Sequence, residues 1–410
     1  MAAMERYIPR CRIFLLDGKK FRTNLLVLFF DLPLQRETAT KTALLAEVLK
    51  RRNWQRAAEA AEEMYGALWD ISVVKKGDRQ LFLFSMETLQ TVEMEESLSF
   101  WRERLSDPLK EEGFREQEVE RQKEILKRKL ESLFDDKRVY ARKRISEETA
   151  EGTGYGISAD GYVEDLTEIT EKSLFAWYQK IMAEAEVKVL FCGEMSEREK
   201  ILSLRQDFPG KVPFGNKVEK EYSKHGPRFM QEKAKTEQTR LCLGFSADTE
   251  TGSRQAALVL LNYLLGGSPD SLLFRKIREE QGLCYDVKSY LEPISPYLFV
   301  QAGIRLEDAR EAGKSVLRCV EELKKEGVSD EKLHQAKRNL LRQYDSMADS
   351  PWAMADFMVE QILQGRALTT EKIQQQIERI EAEDIMQAAN HLELRVVYLL
   401  GGKEGSEDAK

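Results

Sequence analysis

Two side chains, Arg278 and Tyr285, have the types and spacing best suited to chemistry in this sequence. They lie seven residues apart in the stretch LLGGSPDSLLFRKIREEQGLCYDVKSY, residues 264–290. A guanidinium and a phenol both donate hydrogen bonds, so together they can stabilise negative charge that develops in a reaction. The stretch predicts a helix that ends at Gly282 and runs into a strand. Both side chains could therefore project from the same edge of the element.

The predicted helix has sequence signals at its start. Ser268 is a candidate N-cap, Pro269 suits the first helical position, and Asp270 suits the positive first turn. Taken alone, however, the two candidate residues have simpler interpretations. Arg278 can complement the negative end of its helix, and Tyr285 can fill one face of a strand.

No second group of residues predicts an active site. The three histidines, His225, His334 and His391, are too far apart to place two metal ligands one helical turn from each other. The five cysteines are scattered and form no CxxC pair, which favours reduced thiols over a disulfide framework or a cysteine zinc site. The glycine-rich GTGYG lacks the preceding strand and following helix of a nucleotide site. We find no Ser/His/Asp or Cys/His arrangement that would support an unrelated enzyme.

The composition indicates a folded protein of two or three domains. The chain has 410 residues, of which 42% are hydrophobic and 33% are charged. A net charge of −7 with mixed-sign segments argues against nucleic acid or an anionic membrane as the main partner. The longest apolar run, residues 25–30, is far too short to span a membrane, and the first residues lack a signal-peptide pattern. We therefore expect a cytoplasmic protein.

An internal duplication organises the chain. The segment TNLLVLFFD is repeated as TRLCLGFSA, and MYGALWDI is repeated as EQGLCYDV, which puts Gly66 and Gly282 216 residues apart. Two further pairs, EVERQKEIL with KLHQAKRNL and VKVLFCGEM with LRVVYLLGG, have separations of 214 and 208 residues, taken from Val119 to Leu333 and from Gly193 to Gly401. Such constant offsets indicate two homologous domains.

The elements of each half predict an α+β fold, in which two α/β-sandwich domains pack helices on one face of a mostly antiparallel or mixed sheet. We place the domains at residues 1–212 and 236–410, with a linker rich in proline, glycine and charge at 213–235. In the first half we predict strands at 11–16, 24–31, 71–74, 80–85 and 187–192, and helices at 38–51, 54–64, 94–105, 116–150 and 171–185.

The duplicated halves and the motif S-x-L-F-x-x-I-R-E-x-x-G-L-x-Y resemble the insulinase/pitrilysin family of zinc peptidases, which includes the mitochondrial processing peptidase. The resemblance covers essentially the whole chain. Within that family the sequences KFRTNLLVLFFDLPL and FDDKRVYARKRISEETAEGTGYG are most similar to the bacterial YmfF-like proteins. Proteins of this kind typically occur beside a second, catalytic family member.

The zinc motif of that family is missing. Active members carry an inverted H-x-x-E-H motif, two histidine ligands with a general-base glutamate, on a first-domain helix. The matching residues are Ala43-Leu44-Leu45-Ala46-Glu47, so both histidines and the base are absent. Glu124 falls where the family's distal glutamate ligand is expected, but one carboxylate does not hold zinc. We therefore expect no metal bound by this chain and no activity of the chain alone.

The Arg/Tyr pair of the family is retained. The resemblance implies that Arg278 and Tyr285 bind the substrate backbone and stabilise the oxyanion at a zinc site, and that Gly266 and Gly267 form a flexible loop that contacts substrate. The glycines also fit a simple helix C-cap followed by a turn. The first-half equivalents of the pair, at the offset of 216, are Glu62 and Trp69, so the pair itself was not duplicated.

These features predict the non-catalytic subunit of a heterodimeric zinc metallopeptidase. Its partner would be a homologous H-x-x-E-H subunit that holds the zinc, and Arg278 and Tyr285 would act in trans on peptides in an enclosed chamber. The alternative is a peptide-binding or structural assembly protein with no part in proteolysis, which needs no metal.

Overall fold

The computed structural model describes residues 7–213, 226–236, 238–247, 252–292, 294–366 and 369–402. Within these ranges the chain forms two five-stranded sheets, each with its own helices, so the predicted α+β class is confirmed. Residue contacts divide the chain into two compact units. Unit 1 comprises Met1–Ser132, Ile157–Lys220 and Ser350–Val359, and unit 2 comprises Leu133–Gly156, Glu221–Asp349 and Glu360–Lys410.

The sheet of unit 1 is built around one buried strand. Every residue from Asn24 to Leu32 is buried, as a central strand covered on both faces requires, and this explains the continuous apolar run LLVLFF. The strands of this sheet are β2 Cys11–Asp17, β3 Thr23–Pro33, β4 Leu68–Lys76, β5 Arg79–Leu89 and β6 Glu186–Gly193. A separate two-stranded sheet pairs β1 Tyr7–Pro9 with β7 Lys211–Pro213. The helices are α1 Arg36–Arg51, α2 Trp54–Glu63, α3 Met94–Lys110, α4 Glu116–Ser132, α6 Glu171–Glu184 and α7 Arg198–Ser203.

Unit 2 repeats this architecture. Its strands are β8 Arg228–Glu232, β9 Thr239–Ser246, β10 Cys284–Leu291, β11 Tyr297–Ile304 and β12 Glu393–Leu400. Its helices are α5 Lys137–Thr149, α8 Gly252–Asn262, α9 Ala309–Lys325, α10 Asp330–Met347, α12 Thr370–Glu378 and α13 Ala382–Asn390, while α11 Pro351–Leu363 is divided between the units.

The two sheets have the same strand order. The order is β2-β6-β3-β5-β4 in unit 1 and β8-β12-β9-β11-β10 in unit 2, and in each sheet the first two strands are parallel while the others pair antiparallel. Gly66 and Gly282 precede equivalent edge strands, and both have positive φ, +76° and +63°. The matching topology agrees with the duplication inferred from sequence, position by position.

Two short segments each belong to a different unit from the residues that flank them in sequence. Helix α5 and its flanks, Leu133–Gly156, pack with unit 2, and Ser350–Val359 packs with unit 1. Thr149 on α5 shows how close the packing is, because a Cβ atom on Gly244 of β9 would lie only 2.0 Å from its Oγ1. The predicted domain limits follow the linear sequence and do not include this exchange.

Three element predictions are wrong in detail. The helix predicted over 116–150 is two helices, because the Asp136 carboxylate accepts hydrogen bonds from Arg138 N and Val139 N and caps a new helix. The predicted linker contains β8, which pairs with β12. The helix before Gly282 begins at Leu272 rather than at Pro269, because Ser268 O accepts a bond from Ser271 N in a turn.

Candidate functional site

The helix that positions Arg278 is wound more widely than an α-helix. Residues Phe274–Glu280 form a π-helical segment, and the backbone N–H of Gln281 donates to the carbonyl of Lys276 at 3.2 Å. The N–H of Leu283 then donates to the carbonyl of Ile277 at 3.0 Å, which turns the chain into β10. Such π segments are rare and are frequent at functional sites, because they place side chains where an α-helix would not.

A second π segment, Tyr263–Gly267, ends the preceding helix α8 and contains both candidate glycines. Gly266 is buried against β10, and a Cβ atom there would lie 2.5 Å from Ser289 N. Ser289 Oγ donates to the carbonyl of Asn262 at 3.1 Å, which holds the end of α8 against the strand. The close approach of the two backbones therefore requires glycine at position 266, whereas Gly267 is exposed.

Arg278 is exposed and has no ion-pair or hydrogen-bonding partner among the residues that the structure describes. Its guanidinium carbon lies 4.7 Å from the centroid of the Phe274 ring, a cation–π contact within its own helix. The side chain is therefore supported along its stem while its hydrogen-bond donors remain available.

Tyr285 stands at an irregularity in β10. The register with β11 shifts between Cys284 and Asp286, so Tyr285 has no cross-strand partner. A bulge of this kind redirects a side chain away from the regular alternation of a strand. The ring is 62% exposed although the strand lies in a packed sheet. Sequence reasoning placed Tyr285 on a strand but had no signal for the bulge.

Among the described residues, neither an activated thiol nor a histidine accompanies the pair. Cys284 lies between the two residues along the chain, but burial raises the pKa of its thiol to about 11, with Asp286 adding to the rise and Arg278 opposing it. The thiol is therefore protonated at neutral pH. His334 and His391 are exposed on other elements, and His225 lies outside the described residues. What the two side chains offer is hydrogen-bond donors for a substrate or an anion.

The positions of the family's zinc motif are filled by packing and an ion pair. Ala43 and Ala46 are buried in α1, and the Glu47 carboxylate lies 3.5 Å from the ammonium of Lys129 on α4. Glu124 is exposed. In the described part of the chain, no group of three His, Cys, Asp or Glu side chains could hold a metal ion. Lys129 was not singled out from sequence, because its pairing depends on how α1 and α4 meet.

Comparison with known proteins shows which family the chain resembles. A family model described as the peptidase M16 inactive domain matches residues 168–340. The Bacillus subtilis protein named probable inactive metalloprotease YmfF is 25% identical over 404 residues, which cover 95% of each chain. The uncharacterized zinc protease YmxG of the same organism is 24% identical over 249 residues, covering 60% of this chain and 61% of YmxG. The chain is a homologue of the M16 peptidases.

Solved structures agree with this assignment. A conserved protein from Enterococcus faecalis V583 superposes with a TM-score of 0.83 at 26% identity and covers 98% of both chains. A Pseudomonas fluorescens structure described as a peptidase M16 inactive domain superposes with a TM-score of 0.76 at 20% identity over 97% of each chain, which supports the fold. The resemblance to the insulinase/pitrilysin peptidases and the two-domain fold inferred from the internal duplication are confirmed.

This M16 homologue therefore has alanine and glutamate where the inverted zinc motif has its histidines, and Arg278 and Tyr285 remain its candidate functional residues. None of the helices in the described ranges is both long and apolar enough to cross a membrane. What remains at the site is a pair of hydrogen-bond donors on an edge strand and the helix before it.

Proposed function

We propose that this M16 homologue is the non-catalytic subunit of a two-chain zinc metallopeptidase. A homologous subunit with an intact H-x-x-E-H motif would hold the zinc. This chain would bind the peptide and direct Arg278 and Tyr285 to the partner's zinc site. The observation that supports the proposal is the state of the two side chains. Arg278 has no hydrogen-bonding or ion-pair partner among the described residues, and the bulge leaves Tyr285 62% exposed.

The chemistry of the two groups fits that role. Hydrolysis at a zinc site develops negative charge on the scissile carbonyl oxygen, and donors that are already positioned stabilise this charge strongly. The Arg278 guanidinium also suits a planar carboxylate or peptide carbonyl. Gly267, exposed at the end of the π segment Tyr263–Gly267, would contact the peptide backbone, and Gly266 would hold this segment against β10.

A reconstitution experiment tests the proposal. The chain is purified with its candidate partner, and cleavage of an unfolded fluorogenic peptide is measured for the pair and for each subunit alone. We expect activity only in the pair, with kcat/KM about 100-fold lower for Arg278→Ala and reduced for Tyr285→Phe, as for other oxyanion donors. The matched control is Arg310→Ala, which removes an exposed arginine from α9 and should leave cleavage unchanged.

The competing function is a peptide-binding or assembly protein that takes no part in proteolysis. The Glu47–Lys129 ion pair favours this alternative, because it lets unit 1 pack around the position of the zinc motif without a metal ion. Under this alternative the complex contains no zinc, and Arg278→Ala changes nothing in the assay. Metal analysis of the purified complex, together with equal cleavage by the partner alone, would establish the alternative and refute the proposal.

A further inference from the structure

A second group of cations lies farther along β10. Lys288 of β10 and Arg138 of α5 make no hydrogen bond through their charged groups and no ion pair with any described residue. Lys288 is opposite Gln301 in the register with β11, and the Gln301 side chain donates to the carbonyl of Arg138 at 2.8 Å. The sheet and the start of α5 are therefore tied together at this point, so the two cations are held near each other.

The charges around Lys288 do not balance. Burial is the main cause that lowers the pKa of Lys288, and the positive charges of Arg138 and Arg142 lower it further. Two carboxylates nearby are already engaged. Asp286 accepts from Arg240 at 2.8 Å and 3.0 Å, and Glu292 lies 3.4 Å from Arg142.

A third carboxylate, Asp136, accepts its hydrogen bonds from the α5 backbone, and Arg138 and Arg240 are only minor contributors to its lowered pKa. Counting Lys288 itself, four cations thus lie together with three carboxylates: Lys288, Arg138, Arg142 and Arg240 with Asp286, Glu292 and Asp136. One positive charge is left without a counter-charge in the described structure, and the free donors are those of Lys288 and Arg138.

An excess of one positive charge limits the kind of ligand that can bind beside Lys288 and Arg138. A nucleic-acid backbone needs a continuous row of cations, and the carboxylates of Asp286 and Glu292 interrupt any such row. One carboxylate between Lys288 and Arg138 would be bound by two charged donors, the stronger class of hydrogen bond. Arg142 would border it, fixed by its guanidinium 4.2 Å from the Tyr290 ring centroid.

We propose that Lys288 and Arg138 form a subsite for an acidic side chain of an extended peptide. β10 is an edge strand of its sheet, with β11 as its neighbour on the other side. Lys288 is three residues from Tyr285, a distance of roughly 10 Å along a strand. Binding of the acidic residue is a property of this chain alone. Its place about three residues from the cleaved bond rests on the proposed function.

The test is direct binding to the isolated full chain. Two fluorescein-labelled peptides of identical unfolded sequence, one with a central Glu and one with Gln there, are titrated by fluorescence anisotropy at two salt concentrations. We expect the Glu peptide to bind about tenfold more tightly at low salt, and less so at high salt. The preference should disappear in the Lys288→Met, Arg138→Met double variant.

The matched control removes the same two charge types elsewhere in unit 2, as Lys332→Met and Arg338→Met on α10, and should keep the preference. A charge reversal, Lys288→Glu, should favour a peptide with a central Lys, which tests the subsite even if the double variant folds poorly. Equal binding of the Glu and Gln peptides by the native chain would overturn the inference, as would a preference that survives the double variant.

The Arg278→Ala variant separates the two proposals. It should keep the Glu preference while it lowers cleavage by the two-chain enzyme. A Glu preference with no effect of Arg278→Ala on cleavage would refute the proposed function and leave the acidic subsite standing.

Discussion

The starts of β4 and β10 are two copies of one position, and they differ in what covers them. In unit 1, Trp69 of β4 packs 5.3 Å from Trp54, 5.4 Å from Phe100 and 6.3 Å from Trp101, measured between ring centroids. In unit 2, the equivalent Tyr285 is 62% exposed. The same sheet order therefore supports a packed aromatic in one unit and an accessible phenol in the other.

The backbone explains the difference. β4 pairs with β5 without a register shift, whereas β10 is bulged at Tyr285. The element before β4 is the regular helix α2, while the element before β10 is the π segment Phe274–Glu280. The two units share the strand order and the glycine turns, and the exposure of Tyr285 coincides with two local irregularities of the backbone.

A second difference lies in the central strands. Asp31 of β3 bonds to Lys188 of β6 and to Arg79 of β5, the latter at 2.5 Å, and all three are largely buried. The corresponding residue after β9 is Ala247, so the Asp31 network has no counterpart at this position of unit 2. Burial raises the pKa of Asp31, but Lys188 and Arg79 more than offset this and leave the pKa lowered.

The largest effect should come from Asp31→Asn. It removes the carboxylate that Lys188 and Arg79 share and leaves Lys188 with Glu186 alone, at 3.1 Å, so we expect a loss of about 3–5 kcal/mol in the stability of unit 1. Hydrogen exchange in unit 1 peptides measures it. Because the folded pKa is lowered, the native stabilisation is complete above the unfolded pKa of about 4 and is lost as the pH falls towards the folded value.

In the Asp31→Asn variant the stability of unit 1 should no longer fall in this way as the pH is lowered. Asp70→Asn, at the exposed Lys50–Asp70 pair, is the control and should cost less than about 1 kcal/mol. Similar losses in the two variants would show that the buried network does not stabilise unit 1.

The next effect distinguishes the two aromatic positions. Trp69→Ala should cost about 2–3 kcal/mol, since it removes a ring from the cluster with Trp54, Phe100 and Trp101. Tyr285→Ala should cost less than about 0.5 kcal/mol, since its ring is exposed. Urea unfolding of both variants measures the difference. Comparable losses would contradict the view that Tyr285 is free for binding.

Substitution of the turn glycines Gly66 and Gly282 should lower the stability of the chain by similar amounts. A Cβ atom at Gly66 or Gly282 meets nothing within 4 Å, so Gly66→Ala and Gly282→Ala differ from the native chain only through the strain of a positive φ. We expect each to cost about 1 kcal/mol, measured by urea unfolding. A much larger loss at only one turn would refute the equivalence of the two turns.

The smallest effect concerns thiol reactivity. All five cysteines are buried, and burial raises the pKa of Cys11 and of Cys284 to about 11. At pH 8 only about one thiol in a thousand is then ionised, so labelling of the native chain by iodoacetamide should be very slow. We expect Cys284, beside the bulge, to react before Cys11. Mass spectrometry of the labelled peptides gives the order, and earlier reaction of Cys11 would contradict it.

Much of the fold could be predicted because it depends on patterns within short segments. The strands around residues 24–31 and 80–85 and the helix before Gly282 follow from apolar periodicity and turn residues, and the constant offset identified the repeat. The π segments and the bulge at Tyr285 could not be predicted. They arise from hydrogen bonds between elements, such as Ser289 to Asn262, that no local pattern encodes.

The candidate site was predicted only in part. The identities of Arg278 and Tyr285 were evident from the motif, but their lack of partners depends on the surrounding surface. Lys288 and Arg138 were missed because 150 residues separate them in sequence, and only the packing of α5 on the second sheet brings them near each other. Their charges gave no signal in a chain with 64 basic residues.

The exchange of segments determines how this chain can be divided. A cut in the region between the repeats would leave α5 on the first fragment and Ser350–Val359 on the second, so neither fragment would contain all of its own unit. Without α5, the face of the second sheet that holds Cys242, Phe299 and Tyr398 would be uncovered. The two fragments should therefore be insoluble apart and recover structure when mixed, which makes the chain a natural candidate for a split-protein reporter.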